Sequence, residues 1–99
     1  MHSLELRFSN RAIHDIRTVL RYTRKVWGET QRESFSADLN EAFHSLRQYP
    51  SLGQREIGTN EETRSFPFSS YIITYVVGET SVTILRVQHQ RMNPSQHSH

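Results

Sequence analysis

The densest chemistry in this 99-residue chain is the run Arg86-Val87-Gln88-His89-Gln90-Arg91-Met92. Two arginines can clamp a phosphate, and a histidine beside them can move a proton near neutral pH. A solvated strand end is the plainer use of the same residues. Arg86 and His89 are three apart, so in a regular strand they point to opposite faces. They share a site only if the strand ends or bulges between them. Arg64 is a second cation, in a segment expected to flank that strand. Facing the same side as Arg86, it would complete a cationic pocket on the sheet. His14, Arg17, Arg21, Arg24 and Lys25 form a third group, a basic stripe at helical spacing. Solvent and the helix dipole favour such a stripe unaided, and it also suits an acidic partner or a nucleic-acid backbone.

Other chemistries find little support. There is no cysteine, so thiol catalysis, disulfides and thiolate metal sites are excluded. The six histidines show no zinc-like helical spacing, and His97 and His99 fall in a polar tail. No G-x-S-x-G and no glycine-rich phosphate loop is present. No metal and no cofactor is expected.

These residues must be positioned by a small set of elements. Leu4 to Phe8 alternates apolar and charged side chains, the pattern of a half-buried strand. Ser9 is placed to cap a helix in which Ala12, Ile16, Val19, Leu20, Thr23 and Trp27 trace the apolar face. Gly28 stops that helix, and Thr30-Gln31-Arg32-Glu33 reads as the capping box of a second. Phe35, Leu39, Ala42, Phe43 and Leu46 line the second helix, which Pro50 ends near Tyr49. A two- or three-residue connection folds the pair into a hairpin. Then come a loop from Ser51 to Glu62 with a short strand near Arg55-Glu56-Ile57, and a strand at Thr63 to Phe68 that Pro67 confines to an edge or bulge. A hairpin of Tyr71 to Val77 and Ser81 to His89 follows, turning at Gly78-Glu79-Thr80. The expectation is an α+β domain: an N-terminal strand, a helical hairpin and a three-stranded antiparallel meander, in one domain over 1–92 with a polar tail at 93–99. The partner of the first strand is left open.

Composition sets the outer limits. A net charge of +2 rules out a polycation that coats nucleic acid indiscriminately, yet eleven of the twelve basic residues are arginine. Apolar residues make up 34%, and no apolar run approaches the roughly 20 residues of a membrane span. The start, Met1-His2-Ser3-Leu4-Glu5, lacks the layout of a signal peptide, so a cytoplasmic protein is expected.

One set of residues resembles a known family. Ser9, Ala12 and Asp15-Ile16, then Tyr22-Thr23, Trp27-Gly28 and Gln31, then Leu39, Ala42-Phe43 and Leu46 resemble the helical half of ParE-type toxins. Pro50, Gly53, Arg64-Ser65, Ile73, Tyr75 and Ile84-Leu85-Arg86-Val87 with His89 and Arg91-Met92 resemble the rest. The resemblance runs from about Phe8 to Met92. It implies a RelE/ParE-like fold and a toxin of a type II toxin–antitoxin pair, acting in growth arrest and plasmid maintenance. The ParE branch is understood to poison DNA gyrase without catalysis. The implied antitoxin is a small ribbon-helix-helix protein that joins the toxin in a hetero-oligomer. On this resemblance Arg64, Arg86, His89, Arg91 and Met92 face the target, and Leu20, Trp27, Phe35, Leu39, Tyr71 and Tyr75 face the antitoxin. The sister RelE branch cleaves mRNA on the ribosome, and its alternative set here is Glu56, Arg64 and His89, with Arg86 as a phosphate clamp. A third alternative is an inactive toxin fold that only binds its partner in autoregulation.

Overall fold

The computed structural model describes residues 4–58 and 62–92. The polar tail at 93–99, with His97 and His99, lies outside them, as do Met1-His2-Ser3. Element order is β1 (Glu5–Phe8), α1 (Asn10–Trp27), α2 (Glu29–Gln48), a 3-10 turn (Pro50–Leu52), β2 (Gln54–Arg55), β3 (Thr63–Phe68), β4 (Tyr71–Val77), β5 (Ser81–His89) and a last 3-10 turn (Gln90–Met92). The sheet has five strands in the order β1-β5-β4-β3-β2. The α+β architecture and the β3-β4-β5 meander are as expected. The short strand expected near Arg55-Glu56-Ile57 is β2 at Gln54–Arg55, which extends the meander at one edge. At the other edge β1, whose partner the sequence leaves open, joins β5 in parallel. Pro67 sits where β3 has run past β2, whose pairing stops at Ser65, so its missing N–H breaks no ladder on that side.

Ser9 caps α1 as its position suggests: the Ala12 amide donates to the Ser9 hydroxyl at 3.0 Å. The helix junction differs from expectation. Gly28 alone separates the helices, with φ 95°, serving as C-cap of α1 and N-cap of α2. The Thr30 capping box therefore does not form, because Glu29 already begins α2 and no side chain caps it. A residue with no Cβ takes this left-handed turn without strain and folds the two helices back in a single step.

The hairpin covers one face of the sheet. Ala12 of α1, Leu39, Phe43 and Leu46 of α2, and Ile73, Tyr75, Val82, Ile84 and Val87 of the sheet form the core. Burying each large apolar side chain contributes about 1.5–3 kcal/mol. Leu39 and Tyr75, expected to meet an antitoxin, are 2% and 0% exposed and offer a partner no surface. The apolar periodicity that singled them out is the signature of the core itself.

Tyr75 also ties the sheet to the loop after α2. Its hydroxyl donates to the Pro50 carbonyl at 2.6 Å and accepts from the Gly53 amide at 2.8 Å. Burial pushes its pKa up, which keeps the phenol protonated and able to donate. A Cβ at Gly53 would meet Tyr75 Cε1 at 2.7 Å and the Ser65 carbonyl oxygen at 2.9 Å. Gly53→Ala is therefore expected to destabilise by about 1–3 kcal/mol through overpacking. Tyr75→Phe should cost about 2 kcal/mol by leaving the Gly53 amide and the Pro50 carbonyl unpaired. Urea unfolding curves of the two variants check both figures.

Candidate functional site

β1 pairs with β5 only from Ser81 to Ile84, so the outer edge of β5 beyond Ile84 has no strand beside it. The start of α1 takes over that edge. The Ser9 amide donates to the Ile84 carbonyl at 2.9 Å, and the Ser9 hydroxyl donates to the Leu85 carbonyl at 2.9 Å. Asp15, one and a half turns further on, accepts the Val87 amide at 2.9 Å. The same carboxylate takes two bonds from Arg86, Nε at 2.8 Å and Nη2 at 3.2 Å. Asp15 thus serves a backbone amide and a bidentate guanidinium together, with its side chain 11% exposed. The hydrogen bond to Asp15 holds the Arg86 guanidinium above its ordinary pKa, so the pair stays ionised.

A register shift accompanies this clamp. Thr74 stands opposite Arg86 while Tyr75 stands opposite Ile84, so Leu85 is an extra residue in β5. The break precedes Arg86 rather than falling between Arg86 and His89. Both residues nonetheless line one groove, of about 1050 Å³, between the helical hairpin and the far ends of β4 and β5. Val19, Tyr22, Trp27 and Phe35 wall its helical side, and Ser69, Tyr71, Val87 and His89 its sheet side. Phe35 packs edge-on against Phe68 at 5.4 Å and Tyr71 at 5.8 Å, and Tyr71 against His89 at 5.4 Å. Burial pushes the Tyr71 pKa up, leaving a neutral hydroxyl at the groove. His89 Nδ1 accepts the Arg91 amide at 3.2 Å, which places any proton of a neutral ring on Nε2.

The expected antitoxin residues divide sharply. Trp27, Phe35 and Tyr71 line the groove, and Trp27 is 68% exposed despite its place in the apolar pattern. Leu20 is half-buried and does not line it. Tyr22 was missed by periodicity. Its signal is a large aromatic lying off the core-facing stripe, and it is 56% exposed.

Arg64 and Arg86 do not form a joint cationic pocket. Arg64 donates Nε to Glu62 and Nη1 to the Gly53 carbonyl, both at 2.8 Å, while Arg86 is engaged by Asp15. Glu56 is near Arg64, its amide bonded to the Thr63 carbonyl at 2.8 Å. His89 is distant from both. Arg64 faces Tyr75 across the β3–β4 ladder and His89 faces Tyr71 across the β4–β5 ladder. Four residues of strand along β4, about 13 Å, separate those positions. Arg91 and Met92 follow in the final 3-10 turn, which is tied to the β3–β4 turn by Gln90 bonds to Ser69 and Ser70. Among the described residues no cluster of histidine and carboxylate could hold a metal, and no helix is long and apolar enough to cross a membrane.

Known proteins give this geometry a context. A family model described as the ParE toxin of the type II toxin–antitoxin system, parDE, matches residues 6–94. No curated protein matches the chain in sequence. Among solved structures, a chromosomal ParDE toxin–antitoxin system from P. aeruginosa aligns with TM-score 0.75 at 17% identity, over 90% of this chain and 98% of that one. The toxin–antitoxin complex RelBE2 from Mycobacterium tuberculosis aligns with TM-score 0.66 at 24% identity, over 90% and 93%. The YoeB dimer from Staphylococcus aureus aligns with TM-score 0.58 at 16% identity, over 89% and 98%. At these identities the structural likenesses show a common fold.

The Asp15 clamp makes an ordered pair of outcomes. Arg86→Ala is expected to destabilise by about 2 kcal/mol, because Asp15 keeps one amide partner but loses its counter-charge. Asp15→Ala should cost more, since it orphans the Val87 amide as well. Thermal melts of the two variants, compared at one pH and salt, give the order directly.

Proposed function

The chain belongs to the ParE toxin family of type II toxin–antitoxin systems, and we propose that it is silenced by an antitoxin segment in the groove and, when released, poisons DNA gyrase without catalysis. The observation that carries this reading is the groove itself. Exposed aromatic side chains wall it, and the outer edge of β5 beside it lacks a strand. Apolar anchors in a groove suit a disordered segment that folds as it binds, as an amphipathic helix. The end of β5 past the Val87 amide, where Ser9 and Asp15 no longer occupy the edge, suits a short added strand. The partner is a ribbon-helix-helix antitoxin, and the pair forms a hetero-oligomer in the cytoplasm, where gyrase is. Trp27, Phe35 and Tyr71 are the antitoxin anchors.

The gyrase-facing rim is the end of β5 and the turn after it, His89, Arg91 and Met92, with Arg86 at its base already held by Asp15. Arg64 stands apart from that rim and serves the fold first, through Glu62 and Gly53. A bound poison needs surface and charge but no proton transfer. The distance between Arg64 and His89 favours this over mRNA cleavage by Glu56, Arg64 and His89, because an acid, a base and a phosphate clamp must converge on the phosphate that the 2′-hydroxyl attacks.

Two outcomes test the proposal. Mixed with gyrase and supercoiled plasmid, the purified chain is expected to leave linear DNA after detergent and protease, and to leave mRNA whole in a translation reaction. Cut mRNA with intact plasmid would establish the ribonuclease reading instead. Neither effect, with tight antitoxin binding, would leave a binding module acting in autoregulation. For the groove, Trp27→Ala and Tyr71→Ala are each expected to weaken antitoxin binding by about 2 kcal/mol, roughly thirtyfold, as buried aromatic anchors do. Calorimetric titration reads the change, and an unchanged affinity in both variants would remove the antitoxin from this groove.

A further inference from the structure

Charge is segregated between the two helices. α1 carries Arg11, Arg17, Arg21, Arg24 and Lys25 against Asp15 alone, whereas α2 carries four carboxylates against two arginines. The one acid of α1 is already spent on Arg86. All five α1 cations are exposed, and among the described residues none of them forms an ion pair or a side-chain hydrogen bond. Arg24 does no more than help hold down the pKa of Glu29, whose main partner is Arg32.

Their placement separates them from the groove. Arg17 and Arg21 each lie two residues from buried Val19, about 200° around the helix axis. Arg24 follows one turn on. None of the five lines the groove, so a segment seated there leaves the row open. Arg17, Arg21, Arg24 and Lys25 share about 100° of the helix circumference and climb about 12 Å, whereas Arg11 lies about 120° round the axis from Arg17.

We propose that this row on α1 is a docking surface for the phosphate backbone of duplex DNA, separate from the groove. Duplex DNA presents one negative charge per about 1.7 Å of axis, so a row this long runs beside roughly seven phosphates. Arginine matches phosphate with its planar donor fork. The aromatic residues of α1, Tyr22 and Trp27, line the groove and not the row. Without stacking platforms on the row, single strands gain little there and a regular duplex gains most. Ile13, 38% exposed, borders Arg17 and with Phe8 lines a small hollow beside it, so an acidic protein finds one apolar contact there. The face bearing Arg17, Arg21 and Arg24 is otherwise filled by Asn10 and His14, a polar surface that suits a phosphate backbone better. This inference does not rest on the gyrase reading, and its test contains no gyrase.

The test is fluorescence anisotropy with a labelled 20-base-pair duplex of arbitrary sequence, titrated with the whole chain between 50 and 200 mM NaCl. Binding is expected to fall with salt at a log–log slope of about −3 to −4, one step of about 0.9 per phosphate neutralised. Arg17→Gln alone should lower the slope by about 1. The triple variant Arg17→Gln, Arg21→Gln, Arg24→Gln should lower it by about 2–3 and weaken binding at 50 mM a hundredfold or more. A control with Arg7→Gln and Arg47→Gln, two cations elsewhere, should bind nearly as the parent does. Circular dichroism confirms that each variant is folded. No duplex binding at 50 mM, equal binding by the triple variant, or equal loss in the control would overturn the proposal. Tighter capture of a poly-glutamate peptide or of a single-stranded oligonucleotide would overturn it in favour of those partners.

Discussion

Everything at the grooved end of this protein depends on how one sheet edge is satisfied. β1 is four residues long and stops opposite Ile84, while β5 continues for five more residues. Backbone groups left on that edge need partners, because a buried unpaired amide or carbonyl costs about as much as a lost hydrogen bond. Ser9 and Asp15 provide them without adding a strand. Ser9 does two jobs with one hydroxyl, accepting from the first turn of α1 and donating to Leu85. Asp15 then fixes Val87 and turns the Arg86 side chain onto the helix. The start of α1 is thereby pinned along β5, and the space between its later turns and the ends of β4 and β5 becomes a groove.

The same clamp changes what the cations mean. A sequence rich in arginine invites a phosphate site at every cluster, yet the arginines on the central strands are spent within the fold. Arg86 answers Asp15, and Arg64 answers Glu62 and the Gly53 carbonyl. Each guanidinium replaces water by a carboxylate, so neither is held in reserve for a reacting phosphate. The cations of α1 are left to solvent, on the side away from the core. The aromatic wall of the groove and the exposed cations therefore occupy different faces of one helix.

Local chemistry made much of the fold legible. Ser9 reads as an N-cap because a hydroxyl before an apolar periodic run has one good use there, and Gly28 reads as a stop for a similar reason. The limits of β3, β4 and β5 follow from runs of β-branched and aromatic residues bounded by turn formers. What stayed hidden depends on partners far along the chain. Asp15 meets residues 71 and 72 positions away, and no local pattern announces that. The parallel pairing of β1 is likewise a tertiary fact. Periodicity also treated all apolar residues alike: it grouped Leu39 and Tyr75, which the core encloses, with Trp27, which the groove exposes. The capping box at Thr30 failed because a one-residue turn through Gly28 was shorter than the spacing allowed for.

The central claim is that the groove between the helical hairpin and the ends of β4 and β5 is where this toxin meets the protein that controls it. Amide hydrogen exchange of the chain, alone and saturated with its antitoxin, addresses that claim residue by residue. The account predicts new protection at the His89 amide, on the outer edge of β5 past the Asp15 bond to Val87, and at the Ser69–Tyr71 turn, with β2 and the start of β3 unchanged. Protection confined to Gln54–Arg55 and Thr63–Ser65, with the end of β5 exchanging as in the free chain, would contradict it.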